Sequence, residues 1–323
     1  MPLLIWSGPQ RQTLAGFAVL RLPRFSLGLA EVWRSEQAAL PALLIAKGAE
    51  GAVLAELLSW LRANRPGVAG LVLPRLPSGG AAAEAARSLA GQAGLRLDSL
   101  RRVARAALDL RLRFSSEENA SGRHRKEWRR LERRLAEQGP VEVRIGAGPA
   151  EIDRFLDLEA RGWKGARGTA LRQEASRAAF ARESLTRFAE LGGLRIHELV
   201  LNGAPIAMGV ELRSGAAAFF WKIAYDEAFA SFSPGVQLTR AMARAFGQGG
   251  AGDIDFVDSC AMENHPMIDR LWPQRLALTD LAVAVSPRAA LAFRACLGVA
   301  ATAERGRAGL KRLVYRALGR KLS

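Results

Sequence analysis

Residues 194–225 read LRIHELVLNGAPIAMGVELRSGAAAFFWKIAY, which is three apolar segments separated by two turn signals. Asn202-Gly203 predicts a type I′ hairpin turn, because both residues tolerate the positive φ angles that this turn requires. Ser214-Gly215 predicts the second turn. The stretch is therefore predicted to form antiparallel strands at Leu194–Leu201, Pro205–Leu212 and Ala216–Tyr225.

The segment after these strands predicts a helix with a well-defined start. Ser233 is a favourable N-cap residue, and Pro234 suits the first helical position. Leu238, Met242 and Phe246 continue the helix at the spacing i, i+4 and i+8. The elements predicted beyond it are a strand at Ile254–Val257, a short helix at His265–Leu271 and a strand at Leu276–Val285.

A strongly basic helix lies ahead of the strands. Trp128, Leu131 and Leu135 fall on one of its faces, basic residues cover the rest, and Gly139-Pro140 ends it. One interpretation is a solvated amphipathic helix that links two halves of the chain. The other is a rim that binds an anion. Two further helices are predicted over residues 150–193.

The first part of the chain alternates short apolar runs with helical ones, and we find no catalytic constellation in it. We predict strands at Leu43–Ala46, Val68–Leu73 and Ala106–Leu112, and helices at Leu54–Leu61 and Ala81–Gln92. The predicted domain boundaries are 1–115 for an N-terminal half, 116–140 for the basic linking helix, 141–290 for a C-terminal half and 291–323 for a basic helical tail.

The composition is that of a globular chain, with 323 residues of which 49% are hydrophobic, enough for one large domain or two ordinary ones. The two cysteines, Cys260 and Cys296, lie far apart and in no metal-ligand spacing, so we expect a reduced compartment and no metal. We expect neither a signal peptide nor a membrane span, which leaves the cytoplasm as the expected location.

The net charge of +16 has two explanations. Six of the 47 basic residues are lysines and the others are arginines, an enrichment that accompanies a GC-rich genome whatever the function. The alternative is an anionic partner, such as the phosphates of CoA, a nucleotide-linked sugar, RNA or a lipid head group. The charge alone does not separate these explanations.

Five segments in a fixed order carry a resemblance to known proteins. They are SGRHRKEWRRLERRLAEQG, FLDLEARGWKGARGTA, HELVLNGAPIAMGVEL, AYDEAFASFSPGVQL and IDFVDSCAMENHPMIDRLW, and they lie between Ala107 and Val285. The set resembles the GNAT fold and, more closely, the CelD/BcsL-like acetyltransferases associated with cellulose and other exopolysaccharide biosynthesis. Fem-type peptidoglycan aminoacyltransferases, which have tandem GNAT-like halves, are related in architecture.

This resemblance implies an α+β fold of tandem GNAT-like halves, each a mixed, mainly antiparallel sheet flanked by helices, with a degenerate N-terminal half. It also implies acetyl-CoA or another acyl-CoA as the donor. The candidate donor-binding residues are Ser233, Gly235, Val236 and Gln237, because a helix start offers backbone N–H groups and a positive dipole end to a pyrophosphate. An ordinary capped helix is the other interpretation. The usual GNAT loop reads Arg/Gln-x-x-Gly-x-Gly/Ala, which this chain lacks, so an unusual acyl donor stays open.

Three side chains are candidates for proton transfer. Asp258, on the apolar side of its strand, is a candidate general base with a raised pKa, or else a cap for the following turn. His265 is a candidate base or acid, or else a structural cap. Tyr225 is, by the GNAT resemblance, a candidate acid for the leaving thiolate, or else a packed aromatic. GNAT sheets splay at this point, so the strand that carries Asp258 is expected to neighbour the strand that ends at Tyr225.

The candidate acceptor-binding residues are Trp163, Lys164 and Asp226. Their structural alternatives are packing for Trp163, solvation for Lys164 and a polar turn for Asp226. Cys260 is interpreted as a buried thiol rather than a nucleophile.

Three functions compete. The leading hypothesis is acyl-CoA-dependent N- or O-acyl transfer to an amine or a sugar hydroxyl, in polysaccharide or envelope biosynthesis. The second is Fem-type transfer from aminoacyl-tRNA, which fits the charge but usually brings a coiled-coil arm, and no sustained heptads occur here. The third is nucleic-acid binding through the basic helix and the tail at Arg305–Lys321. The chain has no recognition motif, so nucleic acid is the less favoured partner.

Overall fold

A computed structural model describes residues 1–8, 12–23, 28–112, 121–162, 165, 167–250 and 252–302. The strands are β1 (Pro2–Ser7), β2 (Thr13–Arg21), β3 (Gly28–Val32), β4 (Leu43–Ile45), β5 (Val68–Pro77), β6 (Leu97–Asp109), β7 (Val141–Gly146), β8 (Leu194–Leu201), β9 (Ala204–Ser214), β10 (Ala217–Tyr225), β11 (Phe256–Asp258) and β12 (Gln274–Ala284). The helices are α1 (Glu50–Asn64), α2 (Ala81–Gln92), α3 (Gly122–Ala136), α4 (Pro149–Arg161), α5 (Ala175–Glu190), α6 (Pro234–Ala245) and α7 (Ile268–Leu271), followed by a helix over 290–302.

The chain divides into two compact units. Unit 1 comprises Met1–Val103 and the chain from Ala277 onward, and unit 2 comprises Ala104–Leu276. This division differs from the boundaries expected from the sequence. The basic helix α3 is part of unit 2, because Trp128 and Leu135 are buried in the core of that unit. Most of β12 is part of unit 1, because it pairs with β5.

Unit 1 is a mixed, mainly antiparallel sheet with helices on both faces. β2 pairs antiparallel with β1, β3 and β4, β3 runs parallel to β5, and β5 pairs antiparallel with β12. Successive side chains of a strand point to opposite faces of the sheet, so each face has its own hydrophobic core. Leu71, Leu73 and Val283 pack with α1 and α2, whereas Ala69 and Ala282 pack with the helix over 290–302.

Unit 2 is likewise a mixed, mainly antiparallel sheet with helices on both faces. β7, β8, β9 and β10 form an antiparallel meander, β10 runs parallel to β11, and β11 pairs antiparallel with the end of β6. One face of the sheet packs on α4 and α5, and the other packs on α3, α6 and α7. The predicted α+β class, with a mixed and mainly antiparallel sheet in each half, is therefore confirmed.

The hairpin turn between β8 and β9 confirms the local sequence argument. Asn202 and Gly203 have φ angles of 51° and 82°, the positive pair that a type I′ turn requires. The Asn202 side chain donates to the Gln138 carbonyl, which ties the turn to the end of α3. Among the described residues, no helix is both long enough and apolar enough to cross a bilayer.

Several predicted elements have different bounds. The strand predicted at Ile254–Val257 is the three-residue β11, and the helix predicted at His265–Leu271 begins only at Ile268. The strand predicted at Ala106–Leu112 extends much further towards its N-terminus, because β6 begins at Leu97. The bounds of these short or charged segments depend on pairing between strands, which the local periodicity of the sequence does not show.

Candidate functional site

A cleft of about 550 Å³ opens within unit 2 where β10 and β11 part. The two strands are paired only from Ala217↔Phe256 to Phe219↔Asp258, and β10 continues to Tyr225 without β11 beside it. This confirms that the strand carrying Asp258 neighbours the strand ending at Tyr225. The cleft-lining residues are Leu158, Glu159, Gly162, 220–225, Ala230, 233–236, 259–261, His265, Met267 and Ile268.

A β-bulge shapes the wall of the cleft that β10 provides. The register with β9 shifts between Phe220 and Lys222, so Trp221 is the extra residue. Beyond the bulge, Ile223 and Tyr225 pack with the cluster that contains α6, whereas Lys222 reaches towards α4. The bulge thus places two consecutive side chains, Trp221 and Lys222, on the α4 side of the strand.

The start of α6 forms one border of the cleft, and its geometry differs from the prediction. Ser233 occupies the N-cap position, but its backbone is left-handed, with φ 52° and ψ 54°, and its side chain makes no capping hydrogen bond. The predicted N-cap position of Ser233 and helical position of Pro234 are confirmed, although the Ser233 side chain does not make the capping bond. Instead, the Ser233 carbonyl accepts the N–H groups of Val236 and Gln237 at 3.0 and 3.1 Å. A non-glycine residue in this region carries strain, which often marks a functional site.

Two further features define this helix start. The Gln237 side chain is buried and donates to the Phe232 carbonyl at 2.9 Å, so it braces the turn. Gly235 has room for a side chain, since an added Cβ would lie 3.5 Å from Ile223 and 3.6 Å from Tyr225. Protein packing thus does not require glycine at this position.

Asp258 is buried at the end of β11 and is fully engaged. Its carboxylate pairs with the Arg105 guanidinium and accepts the Cys260 backbone N–H at 2.9 Å. Burial raises the pKa of Asp258, and the Arg105 charge opposes that shift. Both predicted properties, an apolar setting and a turn-capping bond, are therefore present together. The role as general base stays a prediction.

Cys260 and Ser259 follow Asp258 and line the cleft. Burial, together with the Asp258 charge, raises the pKa of the Cys260 thiol well above its usual range. The thiol therefore stays protonated near neutral pH and is a poor nucleophile. The Ser259 hydroxyl accepts the Ala261 N–H at 3.2 Å, so this segment is held by its own turn.

His265 lines the cleft together with Tyr225 and Ser233. Its Nδ1 accepts the backbone N–H groups of Met267 and Ile268, both at 3.3 Å, which caps α7. A neutral imidazole that accepts at Nδ1 carries its proton at Nε2. In this arrangement Nε2 is a hydrogen-bond donor, whereas a role as acid needs the imidazolium, whose proton at Nδ1 would displace the two capping N–H groups.

Two more of the predicted site residues, Tyr225 and Asp226, stand at the end of β10 and directly after it. Asp226 caps the 3-10 helix Glu227–Phe232 by accepting the Ala228 N–H at 3.0 Å. Tyr225 lines the cleft and is half-buried. Trp163 and Lys164 lie outside the described residues.

The sequence argument missed a buried ion pair on the α4 side of the cleft. One oxygen of Glu159 accepts the Leu171 N–H at 2.9 Å, and the other lies 3.7 Å from Lys222 Nζ. Glu159 is 1% exposed. A usable signal existed, because Glu159 continues the buried face of α4 at Ile152 and Phe155, where a charged residue needs a partner.

The described residues contain no cluster of histidine, cysteine and acidic side chains that could hold a metal ion. Positive charge lies instead beside the helix start, where the Arg134 guanidinium of α3 stacks 5.4 Å from the centre of the Phe232 ring. The cleft therefore combines apolar lining residues, a helix start with a cation near it, and polar side chains along its walls.

Comparisons with known proteins agree with this geometry. Residues 122–261 match the family described as acetyltransferase (GNAT) domain. No curated protein matches the chain. Three solved structures are similar in fold: FemX (TM-score 0.56, 11% identity, 89% of each chain), L-PGS from Bacillus licheniformis (TM-score 0.53, 12% identity, 88% of this chain and 87% of that one), and a conserved protein of unknown function from Bacteroides thetaiotaomicron (TM-score 0.51, 14% identity, 79% and 81%).

At these identities the solved structures show likeness of fold alone. The family match adds the class of chemistry, since it covers the meander, the start of α6 and β11. The implied GNAT resemblance is thus confirmed for the segment that builds the cleft. Residues 122–261 thus match the GNAT acetyltransferase domain, and this match supports a transferase.

Proposed function

We propose that this protein is an acyl-CoA-dependent acyltransferase that acylates an amine or a sugar hydroxyl. The observation that carries the proposal is the cleft between the parting strands β10 and β11, bordered by the start of α6 and located inside the GNAT domain. A thioester donor needs such a channel, because its acyl carbon has to reach an acceptor between two strands while its phosphates stay at the surface.

The start of α6 is proposed to bind the pyrophosphate of the donor. Pro234 has no N–H, and those of Val236 and Gln237 point to the Ser233 carbonyl, so the Gly235 N–H is the best-placed backbone donor. The helix dipole, the Ser233 hydroxyl and the nearby Arg134 add to this site. This helix start offers fewer backbone N–H groups than a glycine-rich loop does. An acyl donor other than acetyl-CoA therefore stays open.

The proposed chemistry is direct transfer in a ternary complex. The acceptor nitrogen or oxygen attacks the thioester carbon, the carbon–sulfur bond breaks, and the thiolate takes a proton from the Tyr225 phenol. Asp258 and His265 remain the two candidate bases. For Asp258 to act, its pairing with Arg105 has to loosen. For His265 to accept a proton at Nε2, its own proton has to move to Nδ1, which gives up the hydrogen bonds from Met267 and Ile268.

Acceptor recognition is proposed for the α4 side of the cleft. Trp163, Lys164 and Asp226 are the candidates from the sequence. Glu159 and Lys222 are added to them because that pair lines the cleft. The CelD/BcsL-like resemblance suggests a saccharide of an envelope or exopolysaccharide pathway as the acceptor.

The experiment is a two-stage assay on the full chain. Thermal shifts are first recorded with CoA, acetyl-CoA and longer acyl-CoAs, and thiol release is then measured with amine and amino-sugar acceptors. A shift with at least one acyl-CoA and acceptor-dependent thiol release are expected. No shift with any of these donors, at concentrations well above micromolar, would overturn the proposal.

Transfer from aminoacyl-tRNA is the second candidate. It is favoured by the exposed basic surface of α3, which includes Arg123, Lys126 and Arg129, and by the fold likeness to FemX. The same assay separates the two, since a tRNA-dependent enzyme would transfer a labelled amino acid from charged tRNA and show no dependence on acyl-CoA. Binding to tRNA should also fall steeply with salt.

A further inference from the structure

The outer face of strands β1, β2 and β4 in unit 1 is apolar and exposed. Leu4 pairs with Phe17 of β2, Phe17 pairs with Leu44 of β4, and Trp6 pairs with Leu14. These five side chains are therefore neighbours across three strands. Leu44 is 67% exposed, Leu4 57% and Trp6 46%.

Folding of unit 1 does not explain this composition. The opposite face of the same strands already supplies the core, with Ile5, Ala18 and Leu20 buried there. A sheet with one solvated face ordinarily alternates apolar and polar residues. Contiguous exposed apolar side chains on a folded protein indicate a surface that something else covers.

Basic residues border this face. Lys47 follows β4, Arg21 ends β2, and Arg34 follows β3, and all three are exposed. Residues 1–49 contain five basic residues against two acidic ones, Glu31 and Glu36, and Glu31 lies 3.8 Å from Arg21. The surroundings thus favour an anionic partner.

The size of the face argues against a second protein copy as its occupant. A stable interface takes about 20–30 residues from each partner. Five apolar side chains fall far short of that number. The face instead presents Trp and Leu side chains bordered by arginine and lysine. This composition is typical of protein surfaces that bind at the interface of a bilayer.

We propose that this face docks on an anionic lipid surface. The apolar side chains enter the boundary between head groups and acyl chains, and the basic border is attracted to the lipid phosphates. Each basic residue close to an anionic leaflet strengthens such binding about fivefold. The protein would bind the membrane peripherally, because the side chains of β1, β2 and β4 can reach only the outer part of the leaflet.

The test is co-sedimentation of the full chain with lipid vesicles. One set contains phosphatidylcholine alone and the other contains phosphatidylcholine with phosphatidylglycerol. The variant combines Trp6→Ser with Leu44→Ser, and the control is Leu191→Ser, an 84% exposed leucine of unit 2. Both are compared with the wild type by circular dichroism and thermal melting, since none of these side chains is in a core.

The wild type and the control are expected to bind the phosphatidylglycerol vesicles and to bind phosphatidylcholine weakly. The double variant should bind the anionic vesicles at least about tenfold less tightly, since two exposed apolar anchors are lost. Equal binding by the double variant and the wild type would overturn the proposal. So would a wild-type dimer, seen by light scattering, that the double variant converts to monomer, because a second copy would then cover the face.

Discussion

A charge placed at the start of α6 provides a direct test of where the donor binds. In Gly235→Asp a carboxylate is added where the proposed pyrophosphate lies. A negative charge about 4 Å from one phosphate charge costs about 1 kcal/mol in water and about 4 kcal/mol at an effective dielectric of 20. Since 1.4 kcal/mol is a factor of ten, CoA affinity should fall roughly fivefold to several hundredfold.

The backbone at Gly235 accepts a side chain. An added Cβ at Gly235 makes ordinary contacts at 3.5 and 3.6 Å, and the backbone there is not in the positive-φ region. A carboxylate in the first turn of a helix is itself stabilising by about 0.3–1 kcal/mol, because it faces the positive end of the dipole. Because Gly235 is buried, the melting temperature of the ligand-free variant is measured as well, so that loss of binding is separated from loss of stability.

The assay is thermal melting with CoA at 100 times the wild-type dissociation constant, where binding stabilises the native state by about 2.7 kcal/mol. For a unit of this size that is a shift of about 5–10 °C. Gly235→Ala is the matched control, with the same added Cβ and no charge, and should keep most of the shift. A full shift in Gly235→Asp, or an equal loss in Gly235→Ala, would refute the placement of the pyrophosphate.

Three further predictions concern the site and the sheet. Asp258→Asn should lower stability by about 3 kcal/mol in urea unfolding, because the buried Arg105 charge loses its partner. If Asp258 is the base, the same variant should also lower turnover by about 10²–10⁴-fold. Near-normal turnover in both Asp258→Asn and His265→Ala would exclude both bases. Burial alone would raise the pKa of Glu211, but His197 and Arg213 outweigh it and hold the pKa below its usual 4.5. The native state thus binds fewer protons than the unfolded state, and this contribution to stability, present above pH 4.5, should disappear as pH falls through the lowered value, with a flatter pH profile in Glu211→Gln. Gly203→Val, at φ 82°, should cost about 1 kcal/mol or more in urea unfolding.

The sequence predicted well those elements whose signals are local. The meander from β8 to β10 follows from apolar runs and two turns, and the type I′ turn depends only on the φ tolerance of Asn202 and Gly203. The amphipathic helix α3 was likewise visible, because Trp128, Leu131 and Leu135 repeat at helical spacing, and all three are buried. Such features need no information about distant parts of the chain.

The features that the sequence did not predict depend on contacts far apart in the chain. Arg105 and Asp258 are 153 residues apart, and only the pairing of β6 with β11 brings them together. The left-handed backbone of Ser233 depends on how the preceding 3-10 helix delivers the chain into α6, whereas the residue type alone suggested a conventional cap. Propensity describes what a residue prefers, and tertiary contacts decide when that preference is overridden.

The buried charges around the cleft restrict how its chemistry can operate. Asp258 is neutralised by Arg105, and Glu159 by Lys222 together with a backbone N–H, so both pairs present fixed dipoles rather than free charges. Breaking either pair to move a proton would expose an uncompensated buried charge, which costs several kcal/mol. Fixed dipoles that need no reorganisation are effective at stabilising charge that develops on a reacting carbonyl. The geometry therefore favours a reaction in which orientation of donor and acceptor supplies most of the acceleration and proton transfer supplies the smaller share. The loss of turnover expected on removal of the base should then be smallest for an acceptor amine that arrives already neutral.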